Sequence, residues 1–130
     1  MKRNDMREQA FLLTFESLFG AEDELDELIA LYSENVEEVS DYAKEVFKGI
    51  KNKTDEFEQI INEYSKAWKT SRLPKVTLAI LYVALYEMKY VESVPESVAI
   101  NEAVNLAKKY SYTEDASYIN GILGAVSRGR

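Results

Sequence analysis

The chain of 130 residues contains neither cysteine nor histidine. Without cysteine it can form no disulfide and no thiolate metal site. Without histidine it lacks the commonest general base, the Ser-His and Cys-His nucleophile pairs and most zinc sites. Proline occurs twice and glycine five times, and the glycines at 20, 49, 121, 124 and 129 fit no phosphate-binding loop. The longest apolar stretch, Val76–Met88, is too short to span a bilayer. No apolar signal core follows the charged start MKRNDMREQ, so a cytoplasmic chain is expected. Strand signals are missing too: there is no alternating β-branched run, and Asn120-Gly121 falls inside a helical pattern.

The chain does carry charge, unevenly. Its net charge is −7. Residues 21–45 hold ten acids against the single base Lys44, while the other 105 residues carry a small positive excess. The acidity belongs to one segment, so a basic surface elsewhere is compatible with the total. Basic side chains stand at Lys2, Arg3, Arg7, Lys51, Lys53, Lys108, Lys109, Arg128 and Arg130, within no known nucleic-acid motif.

Apolar spacing predicts about seven helices joined by short loops. The first runs from Asp5 to Phe19 and stops at Gly20. It has two apolar stripes, Phe11/Phe15/Leu18/Phe19 and Met6/Ala10/Leu13, with a basic edge of Arg3, Arg7 and Thr14 between them. A helix with two apolar stripes touches two things, either two core elements or a core and a partner. A short second helix spans about Asp23–Ser33 and a third about Val36–Ile50. Lys51-Asn52-Lys53 reads as a basic loop, with Thr54 or Asp55 capping a fourth helix whose stripe is Phe57, Ile60, Ile61, Tyr64 and Trp68. Pro74 and Pro95 each start a helix, where a missing N–H costs nothing. The helix after Pro74 is apolar nearly all round and therefore central. Thr113 caps the last helix.

Few residues offer chemistry, and no catalytic or metal-binding constellation converges. Glu34, Glu37, Glu38 and Asp41 lie opposite an apolar stripe, as a solvated face does. Glu87 shares the angle of Val76, Ile80 and Val83, so it must be buried and hydrogen-bonded or paired. It is either a catalytic acid or a structural tie, to a helix N-terminus or to Arg72. On the helix after Pro95, Asn101, Asn105 and Lys108 lie opposite the apolar arc, where they can contact phosphates or simply face water. Gly121 and Gly124 sit within the last helix, compatible with close approach by another backbone or with fraying.

The stretch VPESVAINEAVNLAKKY followed by SYINGIL resembles the C-terminal signature of the NusB family of antitermination factors. MREQAFLLTF resembles that family's first helix, Gly49-Ile50 with Thr54 the loop before its fourth helix, and Arg72-Leu73 with VTLAILYVALYEM its central helix. The resemblance implies an all-α fold of about seven helices in two packed subdomains, about 1–70 and 71–130. It implies a non-enzymatic factor without cofactor or metal that binds boxA-type RNA together with the NusE ribosomal protein. Other Nus factors and RNA polymerase would complete the assembly, and the family includes monomers and homodimers. Carried over by position, Lys2, Arg3 and Arg7, with Lys51 and Lys53, are the expected RNA-binding residues, and Lys108, on the polar side of the helix after Pro95, is counted with them. Phe15, Thr77 and Tyr82 are the expected partner-binding residues. Asn4, Asp5 and Met6 stand where the family is more basic, Phe15 replaces a tyrosine, and Tyr82 replaces an arginine. The alternative is a protein-interaction or homodimerisation module with little RNA binding of its own.

Overall fold

A computed structural model describes residues 1–20, 24–66 and 68–129. They form six α-helices and one 3-10 turn: α1 (Arg3–Ser17), α2 (Leu25–Asn35), α3 (Asp41–Tyr64), the turn Thr70–Arg72, α4 (Lys75–Tyr90), α5 (Glu96–Tyr110) and α6 (Thr113–Gly129). The expected start of the second helix at Asp23 lies outside the described residues. Among the described residues, no helix is long and apolar enough to cross a membrane.

α4 is the central element. It packs against α1, α3, α5 and α6, and Ala79, Ile80, Leu81, Val83, Ala84 and Leu85 are all buried along it. One cluster of buried side chains runs from Ala10 and Phe11 on α1 through α3 and α4 to Leu123 and Val126 on α6. The 3-10 turn sits where a division near residue 70 was expected, and the core is shared across it.

The largest departure from expectation is α3. The anticipated third and fourth helices are one helix of 24 residues, roughly 36 Å long at 1.5 Å per residue. Lys51, Asn52 and Lys53 therefore lie inside a helix and not in a loop. The apolar contacts never break step. Ala43, Val46, Phe47, Ile50, Phe57 and Ile61 are buried on one face, and Thr54 fills the gap in that stripe. Its hydroxyl donates to the Ile50 carbonyl at 3.0 Å, satisfying itself within the helix instead of capping a new one. The start also moves. Val36 is exposed, and Ser40 caps the helix by accepting from the Ala43 N–H at 3.1 Å. Trp68, expected at the end of the stripe, lies beyond the helix and is exposed.

Two local devices fix the packing. Gln9, fully buried on α1, donates from Nε2 to Glu37 Oε2 and the Glu38 carbonyl, both at 3.0 Å. Its Oε1 accepts from the Ser40 N–H at 2.9 Å, so one amide pins the α2–α3 connection onto α1. Gly49 is the close approach between α3 and α4: a Cβ there would lie 2.3 Å from Tyr86 Cε2. In a free helix Gly→Ala is favourable by about 1 kcal/mol. Here overpacking reverses the sign, and Gly49→Ala should lose about 1–3 kcal/mol in urea unfolding. Gly121, by contrast, is open, with nothing within 4 Å of a Cβ.

Candidate functional site

Glu87 is fully buried, as its position among apolar neighbours required. Its partner is Arg7 and not Arg72. Arg7 Nε donates to Glu87 Oε1 at 2.8 Å and to Oε2 at 3.0 Å. The Tyr42 hydroxyl donates to the same Oε2 at 2.5 Å. Arg7 is itself 3% exposed, and its second nitrogen donates to Asn4 Oδ1 at 2.8 Å. Arg7 was expected on the RNA-facing edge; burial corrects this, because its guanidinium is committed inside the protein. Arg72 lies exposed on the 3-10 turn, beyond the opposite end of α4. Burial pushes the Tyr42 phenol well above its ordinary pKa, the Glu87 bond and charge add to this, and Arg3 opposes them. Tyr42 is thus a protonated donor at any physiological pH. Both oxygens of Glu87 are occupied, which makes it a structural anchor.

The remaining N-terminal cations lie outside. Lys2 and Arg3 are exposed, and the Arg3 guanidinium carbon stands 4.0 Å from the centre of the Tyr42 ring. Lys53 is half-buried, with Nζ 4.8 Å from the centre of the Tyr90 ring. Arg3, through Tyr42 and Glu87, and Lys53, over Tyr90, both lie toward the C-terminal end of α4, with Tyr42 and Lys53 eleven residues apart on α3 and the Glu56 carboxylate accepting from the Tyr90 hydroxyl at 2.7 Å. Lys51 is exposed on α3, and Lys108 on the last turn of α5. Next to Lys108, Lys109 pairs with Glu8 at 2.6 Å, and the Tyr110 hydroxyl donates to the same carboxylate. Burial works against that carboxylate, but the bonds from Lys109 and Tyr110 and the Lys109 charge outweigh it and hold Glu8 below its usual pKa. Among the described residues, no group of three or more acidic side chains is placed to hold a metal ion.

The expected partner residues separate. Phe15 is half-buried in an open groove of about 660 Å³ with Phe11, Phe19, Pro74, Val76 and Tyr110. Phe15 meets Phe19 edge-on at 4.9 Å, and Phe11 meets Tyr110 at 5.0 Å. Phe19 is 59% exposed, and Lys75 Nζ lies 5.7 Å from its ring centre. Tyr82, expected at the partner surface, is buried against Phe57 at 6.2 Å between ring centres. Its phenol is pushed up by burial and then by the charges of Glu58 and Asp55. Thr77 is buried as well, and its hydroxyl has no partner. It lies at the floor of a second groove of about 380 Å³, lined also by Trp68, Arg72, Glu114, Asp115 and Tyr118. Burial corrects the surface position expected of Tyr82, whereas Thr77 is reached only through that second groove. Sequence reasoning missed Trp68 and Val76 as groove residues. The signal for the first groove is present in the Phe11/Phe15/Leu18/Phe19 stripe of α1, whereas Trp68 falls on a stripe that reads as core.

Residues 4–128 match the sequence model of the NusB family. The chain is 42% identical over 129 residues to the transcription antitermination protein NusB of Acetivibrio thermocellus, covering 97% of this chain and 88% of that one. It is 37% identical to the protein of the same name from Lachnoclostridium phytofermentans, covering 97% and 98%. Among solved structures it superposes on T. maritima NusB with a TM-score of 0.86 at 28% identity, covering 100% of this chain and 93% of that one. A NusB bound to NusE and dsRNA shares the fold at a TM-score of 0.86 and 23% identity, covering 98% and 97%. The signature at Val94–Leu123, the central helix and the full-length agreement with these proteins converge: the chain belongs to the NusB family.

Proposed function

We propose that this chain is a cytoplasmic transcription antitermination factor that binds boxA-type RNA jointly with NusE and acts by binding, without a catalytic step of its own. The full-length relatives named for that role support it. The observation that carries the joint-binding reading is the open aromatic groove around Phe15, Phe19 and Tyr110, standing apart from the cations at the C-terminal end of α4. One surface suits a protein partner and the other RNA phosphates. Lys2, Arg3, Lys51 and Lys53 are the proposed RNA contacts, and Lys108 adds a cation on α5. Phe15 is the proposed partner contact, with Phe19 and Tyr110 beside it.

The charge balance explains why two partners are needed. A −7 protein with Arg7 turned inward releases few counterions from RNA. A basic partner supplies the missing charge and raises affinity through effective concentration. In a titration of labelled boxA RNA, NusE should tighten binding by about 10²-fold or more. Arg3→Ala/Lys53→Ala should flatten the salt dependence by about 1.4 in log–log slope, two single-strand phosphate contacts' worth. Equal affinity with and without NusE would favour the alternative, a protein-interaction module with little RNA binding.

A further inference from the structure

The N-terminal edge of this protein carries three cations, Lys2, Arg3 and Arg7, and the structure ties two of them, Arg3 and Arg7, to the body of the fold. Lys2 precedes α1 without any side-chain capping bond, so the first turn has no cap of its own to stop it fraying. The turn is instead tied from below at two points. Asn4 is held by Arg7, which lies on Glu87. Arg3 lies over the face of Tyr42, whose hydroxyl bonds the same carboxylate. Both ties converge on a single buried side chain of the central helix.

We infer that Tyr42 is a positioning residue for RNA binding: it is the platform that holds the Arg3 guanidinium ready for a phosphate. This rests on the reading of the N-terminal edge as an RNA contact. An arginine side chain is long and rotamer-rich, and a free one must be ordered when it binds. A guanidinium over an aromatic face keeps its N–H edge available for bidentate contact while its conformations are already restricted. Tyr42 can serve as a fixed platform because its other end is anchored. It is half-buried, it remains protonated, and its hydroxyl is locked to a carboxylate that cannot move without breaking the Arg7 pair. The buried pair thus has a use at the surface. It sets the pose of a residue that neither Arg7 nor Glu87 touches.

The test is a double-variant cycle on RNA affinity, measured with the protein–NusE complex and boxA RNA. Arg3→Ala should weaken binding about five- to tenfold, the worth of one charge-assisted contact. Tyr42→Leu should cost a similar factor and lower the salt slope by about 0.7, one contact's worth. In the Arg3→Ala background, Tyr42→Leu should cost nothing further. Tyr42→Phe, which keeps the ring but removes its anchor on Glu87, should fall between the parent and Tyr42→Leu. A merely structural Tyr42 would give equal losses in both backgrounds and an unchanged salt slope, and that overturns the inference while leaving the RNA reading intact. No effect of Arg3→Ala overturns both. Should Tyr42→Leu fail to fold, proton NMR of the unaltered protein decides. The ring-current shift of the Arg3 side chain must persist when RNA is added, and its disappearance contradicts the platform role.

Discussion

Arg7→Ala is expected to destabilise the fold by about 3–5 kcal/mol, because it strands the fully buried Glu87 carboxylate with only the Tyr42 hydroxyl for company. Neither partner is screened by solvent, so the usual discount for surface pairs does not apply. Domains of this size have only about 5–15 kcal/mol to lose, which places the variant close to unfolding at growth temperature. Chemical denaturation followed by circular dichroism reads this directly as a lowered midpoint. Replacing both partners by apolar residues, as in Arg7→Met/Glu87→Leu, should recover much of the loss, since no charge is then left unpaired. A loss under about 1 kcal/mol for Arg7→Ala would contradict the anchoring role of the buried pair.

Phe15→Ala/Phe19→Ala is expected to weaken NusE binding by more than about 10²-fold, at about 2 kcal/mol or more for a central aromatic anchor. The two rings meet edge-on and line the groove between α1 and α4. Phe19 is mostly exposed and so contributes little to the core. Phe15 is half-buried against the core, so the variant should unfold at a somewhat lower midpoint than the parent, and the loss of partner affinity is read by calorimetric titration under conditions where both proteins are folded. Its affinity for RNA in the absence of NusE should not change, because the cations lie elsewhere. Retained NusE binding would move the partner surface off this groove.

Much of the fold could be read from spacing alone, and the failures share a physical cause. The helix after Pro95 is as expected: Ala99, Ala103, Leu106 and Ala107 are buried, while Asn101, Asn105 and Lys108 face outward. Both prolines stand just before helices α4 and α5, at the capping position. Gly20 follows the end of α1 with a positive φ of 74° that suits only glycine well. The Lys51–Lys53 break was an error of local polarity. Three polar residues resemble a loop until the buried face is traced across them through Thr54.

The candidate sites were less legible. A basic stripe on α1 looked solvated because nothing local to α1 reveals a carboxylate 80 positions away on α4. Glu87 stands out in the sequence as a carboxylate among apolar neighbours and Arg7 reads only as a basic-edge residue, so their pairing is a tertiary fact. The position expected of Tyr82 falls on a face that the packing of α4 against its neighbours covers. Phe15 differs because two apolar stripes on its helix, one of them its own, already demand two contacts. Burial patterns follow from periodicity, whereas the identity of a buried polar partner does not.

The most direct measurement is native mass spectrometry of the protein mixed with NusE and boxA RNA, singly and together, at increasing salt. A single ternary species carrying one copy of each, persisting to salt at which the protein–RNA pair has dissociated, is the predicted result. A protein–RNA species as salt-resistant as the mixture containing NusE, or a protein–NusE complex that takes up no RNA, would contradict joint binding.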